Sequence, residues 1–171
     1  MFGLHWTNMA SMTLGFLYAS IVIASVTADC LNGWTQYASS CYRLFRNDKN
    51  TWPEAGFECE KHGAYLVSIE TQQESVDMHA LVEELNLGDL DKVWIGLSDV
   101  REEGVWVWES TRQNATFFDW APSEPNQKDT VQQDCVILYG KQHLQWADDR
   151  CEYKYEYICE SPVNTAPALV G

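Results

Sequence analysis

Apolar and polar positions alternate from Cys30 to Phe45, in "CLNGWTQYASSCYRLF", with turn formers at Asn32-Gly33 and Ser39-Ser40. Such period-two patterning predicts a hairpin, which Cys30 and Cys41 are placed to close. At "TWPEAGFECEKHG" the signals become those of a helix. Thr51 offers a cap, Pro53 sits in the first turn where its missing N–H costs little, and Gly63 ends the element. "AYLVSI" reads as a short buried strand. In "TQQESVDMHALVEELNLG", Thr71 and Glu74 form a capping box, Val76, Leu81, Val82 and Leu85 are assigned to one face, and Gly88 stops the helix. Past Gly88 the β-branched and aromatic runs "VWIGL", "VWVWE" and "TFFDW" are separated by Gly, Ser, Asn and Asp, which predicts strands and turns. A polar stretch from Ala121 to Asp134 follows, of a length that in compact domains marks function or disorder. Strands return with "CVILY", "LQW" and "YEYICE", and the uncharged "SPVNTAPALVG" reads as a frayed end. No internal repeat is visible. Two helices early and many short strands late make an α+β fold in one domain.

The first 28 residues differ in kind. They hold no Asp, Glu, Lys or Arg, and "MTLGFLYASIVIASVTA" (Met12 to Ala28) is an apolar run ending in Val26-Thr27-Ala28, which resembles a signal-peptidase site. Its apolar core falls short of the roughly 20 residues that span a bilayer, and no basic stop-transfer cluster follows it. The expectation is a signal peptide over 1–28, a secreted domain over 29–160 and a tail over 161–171. An uncleaved anchor is the alternative, and Met9 and Met12 stand beside Met1 as candidate starts.

The net charge of −14 therefore lies wholly beyond the leader. It excludes nucleic acid and anionic membrane as natural partners and leaves cations, basic proteins or a cationic mineral face. All six cysteines, Cys30, Cys41, Cys59, Cys135, Cys151 and Cys159, share that region, an even set suited to an oxidising compartment. Spacing alone does not choose among their fifteen pairings. There is no Cys-x-x-Cys, and Cys59 with His62 is an isolated Cys-x-x-His, so a zinc site has no support. Catalytic patterns are absent as well: there is no Gly-x-Ser-x-Gly and no His-Glu-x-x-His. Only His62, His79 and His143 lie beyond the leader, and nothing fixes the separation of an acid pair such as Asp148-Asp149. An enzyme is not expected.

Cys41, the two helices, "WIGL" at Trp94 to Leu97, Glu124-Pro125-Asn126, and then Cys135, Trp146, Asp148, Cys151 and Cys159 in that order resemble a C-type lectin-like domain. The likeness runs from about Cys30 to Glu160. Each motif alone is common, whereas their order and spacing together are specific. The resemblance implies chain ends joined through a hairpin, helices flanking the sheets and a long loop carrying calcium. It also implies the bridges Cys59–Cys159, Cys135–Cys151 and, as the extra pair of the long form, Cys30–Cys41. Trp94, Ile95 and Leu97 take packing roles in it.

Calcium requires six to eight hard oxygen ligands. In the family a Glu-Pro-Asn loop, a Glu two residues before the next Cys and a Trp-Asn-Asp strand supply them beside two sugar hydroxyls. Carried over, Glu124 supplies a carboxylate, Asn126 an amide oxygen, and Asp148 a carboxylate and a backbone carbonyl, with Pro125 in a cis peptide. Two positions depart from the pattern. Gln133 stands in place of Glu, keeping an amide oxygen and losing a charge, and Ala147 stands in place of Asn. An auxiliary site would use Asp99, Glu103 and Asp134, with Gln133 again replacing a shared Glu and Gln127 or Asp129 at the last position. The implied ligands are glycans of the mannose, glucose or N-acetylglucosamine class, on cell-surface or microbial polysaccharide, bound through a weakened site. The alternative is a calcium-independent module that binds protein or mineral. Asn114-Ala115-Thr116 is an N-glycosylation sequon.

Overall fold

The computed structural model describes residues 30–84, 92–126 and 132–163. The expected leader, Leu85, Gly88, Gln127 and Asp129 lie outside them. β1 (Thr35–Tyr37) and β2 (Ser40–Asn50) form the expected hairpin, with Tyr37 opposite Ser40. The turn is therefore Ala38-Ser39, one position earlier than the sequence suggests, and β2 continues past Phe45 to Asn50. A disulfide joins Cys30 to Cys41.

α1 (Trp52–Lys61) begins as its sequence dictates. The Thr51 hydroxyl accepts the Glu54 N–H and the Glu54 carboxylate accepts the Thr51 N–H, so each satisfies a donor at the helix start. Gly63, at φ +67°, turns the chain out of the helix. Two indoles pin this end to the sheet. Trp52 donates to the Ile95 carbonyl at 2.8 Å, and Trp94 donates to the Asn50 carbonyl at 3.0 Å.

Of "AYLVSI" only β3 (Tyr65–Leu66) joins a ladder, although Val67 and Ile69 are buried beyond it. α2 (Gln72–Glu84) carries the Thr71–Glu74 capping box. Its buried face is Ser75, Met78, Leu81 and Val82, while Val76 is 53% exposed. The sequence expectation for Val76 was wrong. The stripe at 75, 78 and 82 leaves Val76 off it, and Ser75 can be buried because its hydroxyl donates to Asp119 at 2.7 Å.

The remaining strands are β4 (Lys92–Ser98), β5 (Val107–Trp108), β6 (Cys135–Tyr139), β7 (Gln145–Asp149) and β8 (Tyr155–Pro162). They lie in the order β1-β2-β8-β4-β6-β7, with β3 on β8 and β5 on β4. "VWVWE" keeps only two strand residues, and "TFFDW" forms no strand: Phe117 packs on the core, Phe118 is exposed, and Trp120 makes a single bridge to Trp146. Phe117 and Trp120 there pack against the core without joining a ladder. β8 extends through Ser161 and Pro162, which oppose Cys41 and Ser40, so the first residues of the expected tail belong to the sheet. Cys59–Cys159 and Cys135–Cys151 complete the implied disulfides.

Trp94, Ile95 and Leu97 are fully buried, as core residues. Gly96 between them is required by a close approach. Its N–H donates to the Val67 carbonyl at 2.9 Å, and a Cβ there would lie 2.6 Å from the Leu66 carbonyl oxygen. Gly96→Ala is accordingly expected to lower the unfolding free energy by about 1–3 kcal/mol through overpacking. Denaturant melts decide it, and an unchanged midpoint would show that the two backbones can separate at no cost.

Candidate calcium and ligand site

β7 is the outermost strand on its side of the sheet, so one of its edges is open to a loop. Trp146 uses that edge fully. Its N–H donates to the Asp119 carbonyl and its carbonyl accepts the Ala121 N–H, both at 2.8 Å. The Asp119 carboxylate fastens the same segment to α2 through Ser75, and accepts the Gln145 side-chain amide at 3.3 Å. Nothing in the sequence singled out Asp119, whose partners are distant in the chain.

From this anchored base the chain turns at Ala121, whose carbonyl accepts the Glu124 N–H at 3.0 Å. The Glu124–Pro125 peptide is cis, as the resemblance implied. The Asn126 N–H then donates to Asp148 Oδ1 at 2.9 Å. Glu124, Asn126 and Asp148 are thus brought together, with Asp148 only 3% exposed.

Electrostatically the place is costly when it holds only protein. Burial, and then the Asp148 carboxylate beside it, push the Glu124 carboxyl up to about 7. Glu124 Oε2 and Asp148 Oδ2 are both buried without a hydrogen-bond partner. Two orphaned carboxylate oxygens in one buried place fit a cation, since a cation satisfies both at once. These residues fit calcium, held by fewer charges than a full set.

Gln133 joins the site in a role the sequence did not suggest. Its side-chain N–H donates to the Asp148 backbone carbonyl at 3.2 Å. A carbonyl accepts from N–H and repels another oxygen, so the amide is oriented with its nitrogen toward Asp148. In this arrangement Gln133 turns its nitrogen, not its oxygen, toward Asp148 and engages the backbone carbonyl that the resemblance assigns to the ion. Ala147 is buried in an apolar cluster.

The auxiliary residues also meet. Asp99 is buried, its Oδ2 accepts the Gly104 N–H at 2.8 Å, and its N–H donates to the Asp134 carbonyl at 3.1 Å. Burial first, with the Glu103 and Asp134 charges adding, pushes Asp99 up to about 6, and Asp99 Oδ1 has no partner. Asp134 is raised by burial and then by Glu103. Among the described residues, however, no three His, Cys, Asp or Glu side chains converge as a metal cluster. A cation at either place would have to draw on amide or backbone oxygens as well.

The family model for the lectin C-type domain matches residues 48–161. The chain belongs to the C-type lectin family. A C-type lectin of Micrurus corallinus is 33% identical to this lectin over 132 residues, 76% of this chain and 82% of its own. The C-type lectin mannose-binding isoform of Notechis scutatus scutatus is 31% identical over 153 residues, 87% of this chain and 94% of its own. The cow C-type carbohydrate-recognition domain of CD23, solved in the presence of a GlcNAc2Man3 oligosaccharide, superposes with a TM-score of 0.67 at 26% identity, covering 81% of this chain and 99% of that one. C-type lectins are carbohydrate-binding proteins and not enzymes, and the family generally binds calcium.

A carboxyl raised from 4.5 to about 7 binds its proton more tightly in the folded, calcium-free state than in the unfolded one. Its contribution to stability is present below pH 4.5 and is lost as pH rises through about 7. The calcium-free lectin should therefore lose Tm across that window more steeply than Glu124→Gln. Equal slopes in pH-dependent thermal melts would show that Glu124 does not titrate there.

Proposed function

We propose that this lectin is secreted and binds mannose-, glucose- or N-acetylglucosamine-type glycans through a weakly held calcium ion at Glu124, Asn126 and Asp148. The observation that carries this is the pair of buried, unpartnered oxygens on Glu124 and Asp148. The Notechis relative named as mannose-binding and the CD23 domain solved with a mannose-containing oligosaccharide support the sugar class. The leader-like residues 1–28, ahead of a domain over 29–160, support the secretory route.

Bound calcium supplies coordination positions that two vicinal hydroxyls can fill in place of water. The chain's own groups select which hydroxyls. The Glu124 carboxylate accepts a hydrogen bond from one, and the Asn126 amide donates to its neighbour. That acceptor-then-donor order suits the equatorial 3- and 4-hydroxyls of mannose, glucose and N-acetylglucosamine. Asp148 is positioned by the Asn126 N–H on one oxygen and leaves the other for the ion. With Gln133 neutral and Ala147 apolar, calcium affinity falls in the weak extracellular range, about 10⁻⁴–10⁻³ M. Useful avidity then depends on multivalent display.

A second reading, a calcium-independent module for a protein or mineral partner, is favoured by one observation. The Gln133 amide already satisfies the Asp148 carbonyl without an ion.

Calorimetry of the disulfide-intact lectin separates the two. Calcium heat is expected, followed by calcium-dependent mannose heat, and both vanish in Glu124→Ala/Asn126→Ala. No calcium heat up to about 10 mM, beyond the weakest extracellular sites, would overturn the calcium mechanism and leave the second reading. In the same assay Gln133→Glu should tighten calcium binding by the order of tenfold, about 1.4 kcal/mol. Unchanged affinity would mean that position 133 lies outside the ion's reach.

A further inference from the structure

Asn114-Ala115-Thr116 is the sole Asn-x-Ser/Thr in the chain, and the lectin site makes no use of it. The backbone around it is firmly placed. Arg112 turns the chain at φ +61°, Asn114 then bridges to Val107, and the Ala115 N–H donates to the Trp106 carbonyl at 2.8 Å. Ala115 packs against the core, so the middle residue is the anchor. Asn114 and Thr116 on either side of it are both exposed. Among the described residues the Asn114 carboxamide makes no hydrogen bond, whereas the Asn50 carboxamide donates to the Tyr157 hydroxyl. A side chain that is exposed, unbonded and held on a fixed turn has room for a large polar substituent.

We propose that Asn114 carries an N-linked oligosaccharide, which rests on the secretory reading above. In the transfer the Asn114 amide nitrogen forms a bond to the anomeric carbon of a lipid-pyrophosphate-linked oligosaccharide. The bond from that carbon to the pyrophosphate oxygen breaks, and the lipid pyrophosphate and one amide proton leave. No oxidant or reductant is involved. Transfer acts on the entering chain, and the folded structure contributes by leaving the sugar in solvent.

The ladder also fixes where the sugar sits relative to the calcium residues. Asn114 faces Val107, Val107 faces Ser98, Ser98 faces Cys135, and Cys135 faces Asp149, the neighbour of Asp148. These four steps along one cross-strand row amount to about 19 Å at the usual strand spacing. The oligosaccharide hangs from the far end of the row whose other end holds the ligand site, and leaves that site open.

The test is expression of the full chain in a secreting eukaryotic cell beside Asn114→Gln and Thr116→Ala, with and without peptide N-glycosidase. The expected result is wild-type protein in the medium that drops in mass on treatment, with Asn114 recovered as Asp in the released peptide. Neither variant should shift, and calcium and mannose heats should agree between wild type and Asn114→Gln. Secreted wild type that does not shift would overturn the glycan alone. A chain held in the cytosol would overturn the secretory reading and the glycan with it. A mannose response changed by Asn114→Gln would overturn the placement of the sugar away from the site.

Discussion

Trp146 is held on every side, and the ligand site depends on that. Its backbone N–H and carbonyl both bond to the 119–121 segment, although its strand is also paired with β6. Its indole, with no exposure, meets the rings of Trp108, Phe117 and Trp120 at 5.7–5.9 Å, edge on. Edge-to-face contacts of this kind add about 0.5–1.5 kcal/mol each beyond burial. The indole N–H is buried without a partner, a penalty of about 1–3 kcal/mol that packing has to outweigh. One residue thus couples the core to the base of the ligand loop. Glu124 and Asn126 stand where they do because the loop leaves Ala121 from a fixed point.

Such rigidity matters because the site is electrostatically unfavourable without an ion. The chain carries a net charge of −14, and burial raises Glu124, Asp99, Asp134 and Glu160 together. Left to relax, two carboxyls would move apart into water. The disulfides oppose that relaxation. Cys135–Cys151 ties β6 to the end of β7 on either side of Asp148, and Cys59–Cys159 closes a separation of 100 residues. In the chain-entropy picture a loop of that size contributes about 4.7 kcal/mol. The stabilised frame tolerates two buried carboxyls held side by side.

Local chemistry was legible in the sequence wherever neighbours in the chain are neighbours in space. Thr51 with Glu54 and Thr71 with Glu74 announced both helix starts, whereas the cis Glu124–Pro125 peptide was implied only by the family resemblance. Reading failed where a distant partner decides. Val76 looked like core, but Ser75 displaced it from the buried face by bonding Asp119 across 44 residues. "TFFDW" looked like a strand, yet its rings serve the Trp146 cluster while its backbone has no ladder beyond one bridge. Prolines at the end suggested fraying, and Pro162 nevertheless sits on β8 opposite Ser40. A strand end tolerates proline, because it need not donate there.

Gln133 is the hardest position to read, because an amide has two faces. As a stand-in for Glu it suggested an oxygen ligand of lower charge. In the structure its nitrogen faces a carbonyl, and the same carbonyl was itself a presumptive ligand. One substitution therefore changes the site twice, removing a charge and engaging an acceptor. Asp148 Oδ2 and Glu124 Oε2 remain buried and unsatisfied despite it. A site fully converted to protein–protein hydrogen bonds would leave no such atoms, since each costs more to bury than a bond returns. Their persistence beside a satisfied Asp148 carbonyl shows that nothing among the described residues takes up these two oxygens.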